Sequence, residues 1–207
     1  MAVLTFDFRG FRGSEGRFSL AGEIVDAHNA VSFLLDHPLV RDEQVALYGA
    51  SFGGAVAICA GALDQRVGTV CVRAPVSDME AFTSSQSLTT VIEYIRTYAP
   101  EDMHGIGDKA VVQSMVEELA RDAGRYNPVR LVSRVSPRPV LIVTGDSDEL
   151  IDLKDVQRLY DAAAEPKELQ VVKGADHVLS DPHAREETTQ IILRWLNEHH
   201  PCVEKGE

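Results

Sequence analysis

Gly49-Ala50-Ser51-Phe52-Gly53 follows the apolar run Val45 to Tyr48 and precedes a helix-forming run that begins near Phe52. A sharp passage from strand to helix forces its central residue into strained backbone angles, and the neighbours two positions to either side must be small for the segments to pass. Gly49 and Gly53 supply that room, so Ser51 is a candidate nucleophile whose hydroxyl stands at the carboxyl end of a strand. The amide of Phe52, at the start of the helix, can donate to a developing oxyanion. The plainer alternative is a glycine-rich packing contact at a helix start, and the strand before and helix after weigh against it.

Working outward, Val3-Leu4-Thr5-Phe6-Asp7-Phe8 is rich in β-forming residues and ends at a loop carrying Gly10, Gly13 and Gly16, which predicts a strand leading into a turn. Ile24, Ala27, Val31 and Leu34 recur at helical spacing after the possible cap Ser19 and stop before Pro38. Further strands are predicted at Val67 to Val72, Pro139 to Thr144 and Leu169 to Val172. Helices are predicted around Leu153 to Ala163 and after the cap Asp181 and first-turn Pro182. Strands separated by helices imply the α/β class, a mostly parallel sheet flanked by helices on both faces. Between about Val76 and Arg134 two helical stretches, near Ser87 to Tyr98 and Lys109 to Arg121, come without any strand signal. They read as a helical cap inserted in one domain that spans the chain, where it would shape a pocket over the strand ends. The alternative is a pair of packing helices that touch no ligand.

With 207 residues, 44% of them hydrophobic, the chain can bury one sizeable core. A formal charge of −12 with no basic cluster argues against a nucleic-acid or anionic-membrane surface. Gln44 to Leu63 runs twenty residues without a charge, yet its glycines at 49, 53, 54 and 61 suit a buried strand, elbow and helix better than a membrane span. Cys59, Cys71 and Cys202 lack metal-binding spacing and read as thiols of a reducing compartment. The residues from Met1 to Phe8 show no secretory signal, which makes the cytoplasm the expected location.

A serine hydroxyl needs a base, and the base needs a group that holds its tautomer. Gly145-Asp146-Ser147-Asp148 and Gly174-Ala175-Asp176-His177 each follow directly on a predicted strand, at the edge where open α/β sheets gather functional groups. His28, His37, His104, His199 and His200 form no metal-binding set with one another.

Gly49 to Gly54, Gly145 to Asp148 and Gly174 to His177, in that order, resemble the α/β-hydrolase superfamily of serine hydrolases, which includes esterases, dienelactone hydrolases and prolyl-oligopeptidase-like enzymes. The resemblance implies that Ser51 is the nucleophile, His177 the general base and then acid, and Asp148 the residue that orients the histidine. Asp146 competes for the acid role, but the family usually places its acid three residues after the glycine. Phe52 would contribute the amide of the oxyanion hole. Leu4 to Gly10 resembles the strand and loop that precede the first helix of the fold's second half.

The front of the chain departs from that pattern. In the family an earlier strand ends in a loop, commonly of His-Gly type, that supplies a second oxyanion donor, and this chain begins too late to contain it. One such donor is typically worth about 10²- to 10³-fold in turnover. Three explanations present themselves: a piece of a longer hydrolase, pairing of Val3 to Phe8 with the nucleophile strand, or a second chain filling the gap. The expected activity is carboxylesterase-like hydrolysis of a small-molecule ester or related acyl compound, with no cofactor and with oligomerisation left open. The rivals are a non-catalytic scaffold built on the same fold, and a serine peptidase or thioesterase.

Overall fold

Three short, largely apolar runs form the strands β1 (Val45–Ala50), β2 (Val67–Arg73) and β3 (Val140–Gly145), and a more polar one forms β4 (Lys167–Val172). They were read from a computed structural model that describes residues 2–40 and 43–200. All pairings are parallel and the order is β1-β2-β3-β4, with Ala50 opposite Arg73, Val72 opposite Ile142 and Gly145 opposite Val172. Parallel order brings every carboxyl end to one edge of the sheet, which is how three distant loops come to share a site.

Helices cover both faces. On one side α1 (Leu20–Leu35), α2 (Phe52–Leu63) and α7 (Leu153–Ala162) bury Ile24, Val31, Ile58, Val156 and Leu159 in the larger core. On the other, α8 (Pro182–His199) lays Ile191 and Trp195 against Cys71, Leu141 and Val143. The predicted caps form: Ser19 Oγ accepts from the Gly22 amide and Asp181 from the Ala184 amide. Burial pushes the thiols of Cys59 and Cys71 up to about 12, so both are inert packing groups. Cys202 lies outside the described residues. The uncharged stretch from Gln44 divides into β1, a turn and α2, and no helix among the described residues is long and apolar enough to cross a membrane.

Residues 74–139 contain α3 (Met79–Thr83), α4 (Gln86–Tyr98), α5 (Lys109–Ala123) and α6 (Pro128–Leu131), with short 3-10 turns at Pro100–Asp102 and Val132–Val135. No strand interrupts them.

The expected strand from Val3 to Phe8 does not form. Its side chains favour extended backbone, but a strand needs a neighbour's amides and carbonyls, and no strand among the described residues pairs with it; Val3 is 78% exposed. It therefore does not move over to pair with β1, whose outer edge carries no strand among the described residues. The loop beyond it is well anchored. Arg9 grips Asp26 of α1 through Nε at 2.9 Å, Nη2 at 2.6 Å and its backbone amide at 3.0 Å. Gly10, at φ +77°, allows the chain to turn back where a Cβ would strike the backbone of Arg17 and Phe18.

Arg138 is a buried cation satisfied entirely by main chain. Its Nη1 donates to the carbonyls of Gly61, Asp64 and Val67, and Nε to that of Val135, at 2.8 to 2.9 Å. One side chain thereby ties the end of α2 and the start of β2 to the approach to β3.

Glu23, on the first turn of α1, is almost fully buried, and desolvation, reinforced by the charge of Asp26 and partly offset by Arg9, pushes its carboxyl up to about 8. The native state thus keeps a proton that the unfolded chain gives up above the ordinary carboxylate range, so stability falls as pH rises between those two values. Urea unfolding is expected to show about 3 kcal/mol lost between about pH 5 and 8. Glu23→Gln should abolish most of that slope; an unchanged slope would refute the assignment to Glu23.

Candidate active site

Ser51 adopts φ 53° and ψ −122°, a conformation that non-glycine residues rarely hold. Hydrogen bonds over-determine it. The Ser51 amide donates to the Arg73 carbonyl at 2.9 Å, and the Ser51 carbonyl accepts from the amides of Gly54 at 3.0 Å and Val76 at 3.1 Å. A Cβ at Gly49 would fall on the carbonyl of Gly53, so that glycine is required by close approach. At Gly53 the space a Cβ would enter is open, and at Gly54 it meets Pro75. The room attributed to both flanking glycines comes from Gly49 alone, because it is the Gly53 backbone, not its side-chain direction, that lies against the strand. Phe52 opens α2, so its amide has no carbonyl one turn back within the helix.

Three strand ends converge here. His177 Nε2 lies 3.0 Å from Ser51 Oγ, and His177 Nδ1 lies 2.9 Å from Asp148 Oδ2. The Asp148 side chain is only 1% exposed and that of His177 11%. Burial alone would raise the Asp148 carboxyl. The hydrogen bond to His177 and the amides of Ile151 and Leu150, both donating to Oδ1 at 2.9 Å, outweigh that effect and hold it below the usual carboxylate range. The carboxylate therefore faces the imidazole as an anion.

Asp146 points elsewhere. Its Oδ1 accepts from the Gly174 amide at 2.6 Å and from Ser147 Oγ at 3.0 Å, which clips the loop after β3 to the loop after β4. Gly145 lies so close to Ala175 that a Cβ would overlap that residue's carbonyl, and the Ser147 amide donates to the same carbonyl at 3.2 Å. Sequence reading missed Arg73. Its carbonyl holds the Ser51 amide while its Nη1 donates to the His177 carbonyl at 2.7 Å, so one residue spans the Ser51 turn and the His177 loop. The available signal was a lone arginine closing the apolar run Val67-Gly68-Thr69-Val70-Cys71-Val72.

Beside Ser51 opens a cavity of about 210 Å³. Phe11, Phe18, Phe52 and Phe82 form a continuous aromatic wall, with successive ring centroids 5.5 to 6.2 Å apart. Leu88, Val91, Ile92 and Ile95 of α4 and Val112, Met115, Val116 and Leu119 of α5 supply most of the remainder. No residue of α4 is fully buried: Leu88, Ile92 and Ile95 are half-buried, packing against the core on one side and lining this space on the other.

Comparison with known proteins places this geometry in context. The model of the prolyl oligopeptidase family matches residues 21–201. The chain is similar to the polyketide transferase ATR5 of Stachybotrys chlorohalonatus, with 27% identity over 188 residues that cover 75% of this chain and 63% of that protein. It is similar also to YfhR of Salmonella typhi, 31% identical over 182 residues covering 85% and 54%. The chain thus spans between about half and two thirds of the length of these curated relatives. Among solved structures, the alpha/beta hydrolase GrgF from Penicillium sp. sh18 superposes with a TM-score of 0.68 at 23% identity, over 93% of this chain and 78% of that one, a likeness of fold.

The two glycines around Ser51 make opposite predictions. Gly49→Ala should cost about 2–3 kcal/mol in urea unfolding, through overlap with a backbone carbonyl. Gly53→Ala should be neutral or stabilising by about 0.4–1 kcal/mol, since it stiffens the unfolded chain at no steric cost. Equal effects at the two positions would contradict this account of the turn.

Proposed function

Because the chain belongs to the prolyl oligopeptidase family and has the α/β-hydrolase fold, we propose that it is a serine hydrolase that cleaves carboxylic esters or related acyl compounds through an acyl-enzyme on Ser51. One observation carries the reading: the hydrogen-bonded line from Asp148 through His177 to Ser51, at 2.9 and 3.0 Å.

His177 Nε2 takes the proton from Ser51 Oγ as that oxygen attacks the substrate carbonyl carbon. The carbonyl oxygen becomes an oxyanion and accepts from the Phe52 amide, whose position at a helix N-terminus favours negative charge. Collapse of the tetrahedral adduct breaks the ester bond, and His177 gives its proton to the departing oxygen. Water then attacks the acyl-enzyme with His177 as base, and the acid leaves with Ser51 restored. Asp148 stabilises the imidazolium formed in each half-reaction and keeps Nδ1 protonated. The helical segment between β2 and β3 acts as a cap that shapes the pocket and excludes water. Two buried free thiols, Cys59 and Cys71, support a cytoplasmic setting.

A second reading uses the same acyl-enzyme. The name polyketide transferase on a relative supports acyl transfer to an acceptor such as an alcohol in place of water.

A fluorophosphonate probe should label the protein but not its Ser51→Ala variant. Ester turnover should fall by about 10⁴-fold or more in Ser51→Ala and His177→Ala, and by about 10⁴-fold in Asp148→Asn. A folded protein that resists the probe, or labels equally without Ser51, would sink the hydrolase and transferase readings together. Adding a primary alcohol to the ester assay separates those two by the ratio of new ester to free acid.

A further inference from the structure

The cavity beside Ser51 carries more information than a reaction class. Ser51 is the single polar residue lining it, and the lining also includes Phe52, whose amide would face the oxyanion, but it does not include His177. In an acyl-enzyme mechanism the histidine hands its proton to the departing oxygen, so the leaving group must lie against the imidazole. A cavity that meets the serine and not the histidine is therefore the seat of the acyl part of the substrate.

Its chemistry is equally restrictive. A peptide chain entering it would bring amide donors and acceptors among phenylalanine, leucine, isoleucine, valine and methionine side chains with nothing to bond, and such burial strongly disfavours binding. A hydrocarbon chain meets no such obstacle. A cavity of about 150 Å³ holds benzene, six carbon atoms. By proportion, about 210 Å³ accommodates roughly eight.

The geometry points to a medium-sized hydrocarbon acyl group of about six to eight carbons as the acyl portion of the substrate, held by α4 and α5, and to exclusion of peptides despite the family's name. This assignment rests on the acyl-enzyme reading above and adds to it the identity of the acyl chain.

The test is a series of nitrophenyl esters from acetate to dodecanoate, each kcat/KM referred to the ester's own hydroxide hydrolysis. The specificity constant should rise about fourfold per added methylene, the effect of burying one CH₂, until the cavity fills near eight carbons, and then fall. Pentanoyl and N-acetylglycyl nitrophenyl esters have acyl chains of equal length that differ by an internal amide, and the pentanoyl ester should win by at least tenfold. Val91→Phe and Val116→Phe, which project into the cavity from α4 and α5, should each move the optimum to shorter chains. A profile flat or falling from acetate, or a preference that follows the alcohol chain of alkyl acetates instead, would overturn the assignment while leaving Ser51 labelling, and so the hydrolase reading, intact. If Ser51 proves unreactive, binding to the Ser51→Ala protein still decides the matter. Octanoate should bind at least tenfold more tightly than butyrate by calorimetry, and equal affinities would overturn the assignment.

Discussion

The backbone of Ser51 is the constraint on which the rest of the site depends. A residue at φ 53° and ψ −122° is held against its own preference by bonds to Arg73 on the neighbouring strand, Val76 beyond it and Gly54 in the following helix. Each partner belongs to a different segment, so the strain persists only while β1, β2 and α2 remain packed. Gly49 makes the packing sterically possible, and the paired strands make it rigid. The position from which the Ser51 side chain projects is thereby fixed by the backbone, which is what the preorganised chemistry proposed for it would require.

A second set of contacts brings the histidine to that hydroxyl. The loops after β3 and β4 are joined by the near-contact of Gly145 with Ala175 and by the Asp146 bond to Gly174, and Arg73 secures the His177 carbonyl from the end of β2, the strand between β1 and β3. Two neighbouring aspartates divide the work because their surroundings differ. Asp148 is buried and shares its oxygens between the imidazole and two amides, whereas Asp146 is spent on holding one loop to the other. The two carboxylates lie two residues apart, and the direction each side chain takes separates them.

The segment between β2 and β3 obeys a different rule from the core. In α2 every residue from Gly54 to Ala62 is buried between the sheet and neighbouring helical segments, while α4 buries none of its residues completely though it carries Leu88, Val91, Ile92 and Ile95. Those side chains pack only partly against the core and also line a void beside Ser51. Apolar surface that stays unfilled lacks the dispersion contacts of a packed interior, so the arrangement forgoes stability that a filled core would have supplied.

Much of the architecture was legible from local chemistry. The alternation of aliphatic runs with helical spacing, the caps Ser19 and Asp181, and the glycines bracketing Ser51 are effects of near neighbours, and such effects are written in short stretches of chain. The strand expected at Val3 to Phe8 failed because a strand's hydrogen bonds belong to its neighbour, and the propensity of six residues cannot report whether a neighbour is there. Arg73 and Arg138 were invisible for a related reason: one looks like a strand-ending charge and the other like an exposed arginine after a proline, until distant carbonyls converge on their guanidinium groups. The sequence by itself determined the order of strands and helices and which residue types stand at the strand ends, since these follow from covalent neighbours and burial periodicity. The family resemblance pointed to Asp148 over Asp146 and to a cap over a pocket, but only tertiary structure decided that Asp148 meets His177 and that the helices between β2 and β3 enclose an apolar space, because both depend on where segments remote in the chain come to rest against one another.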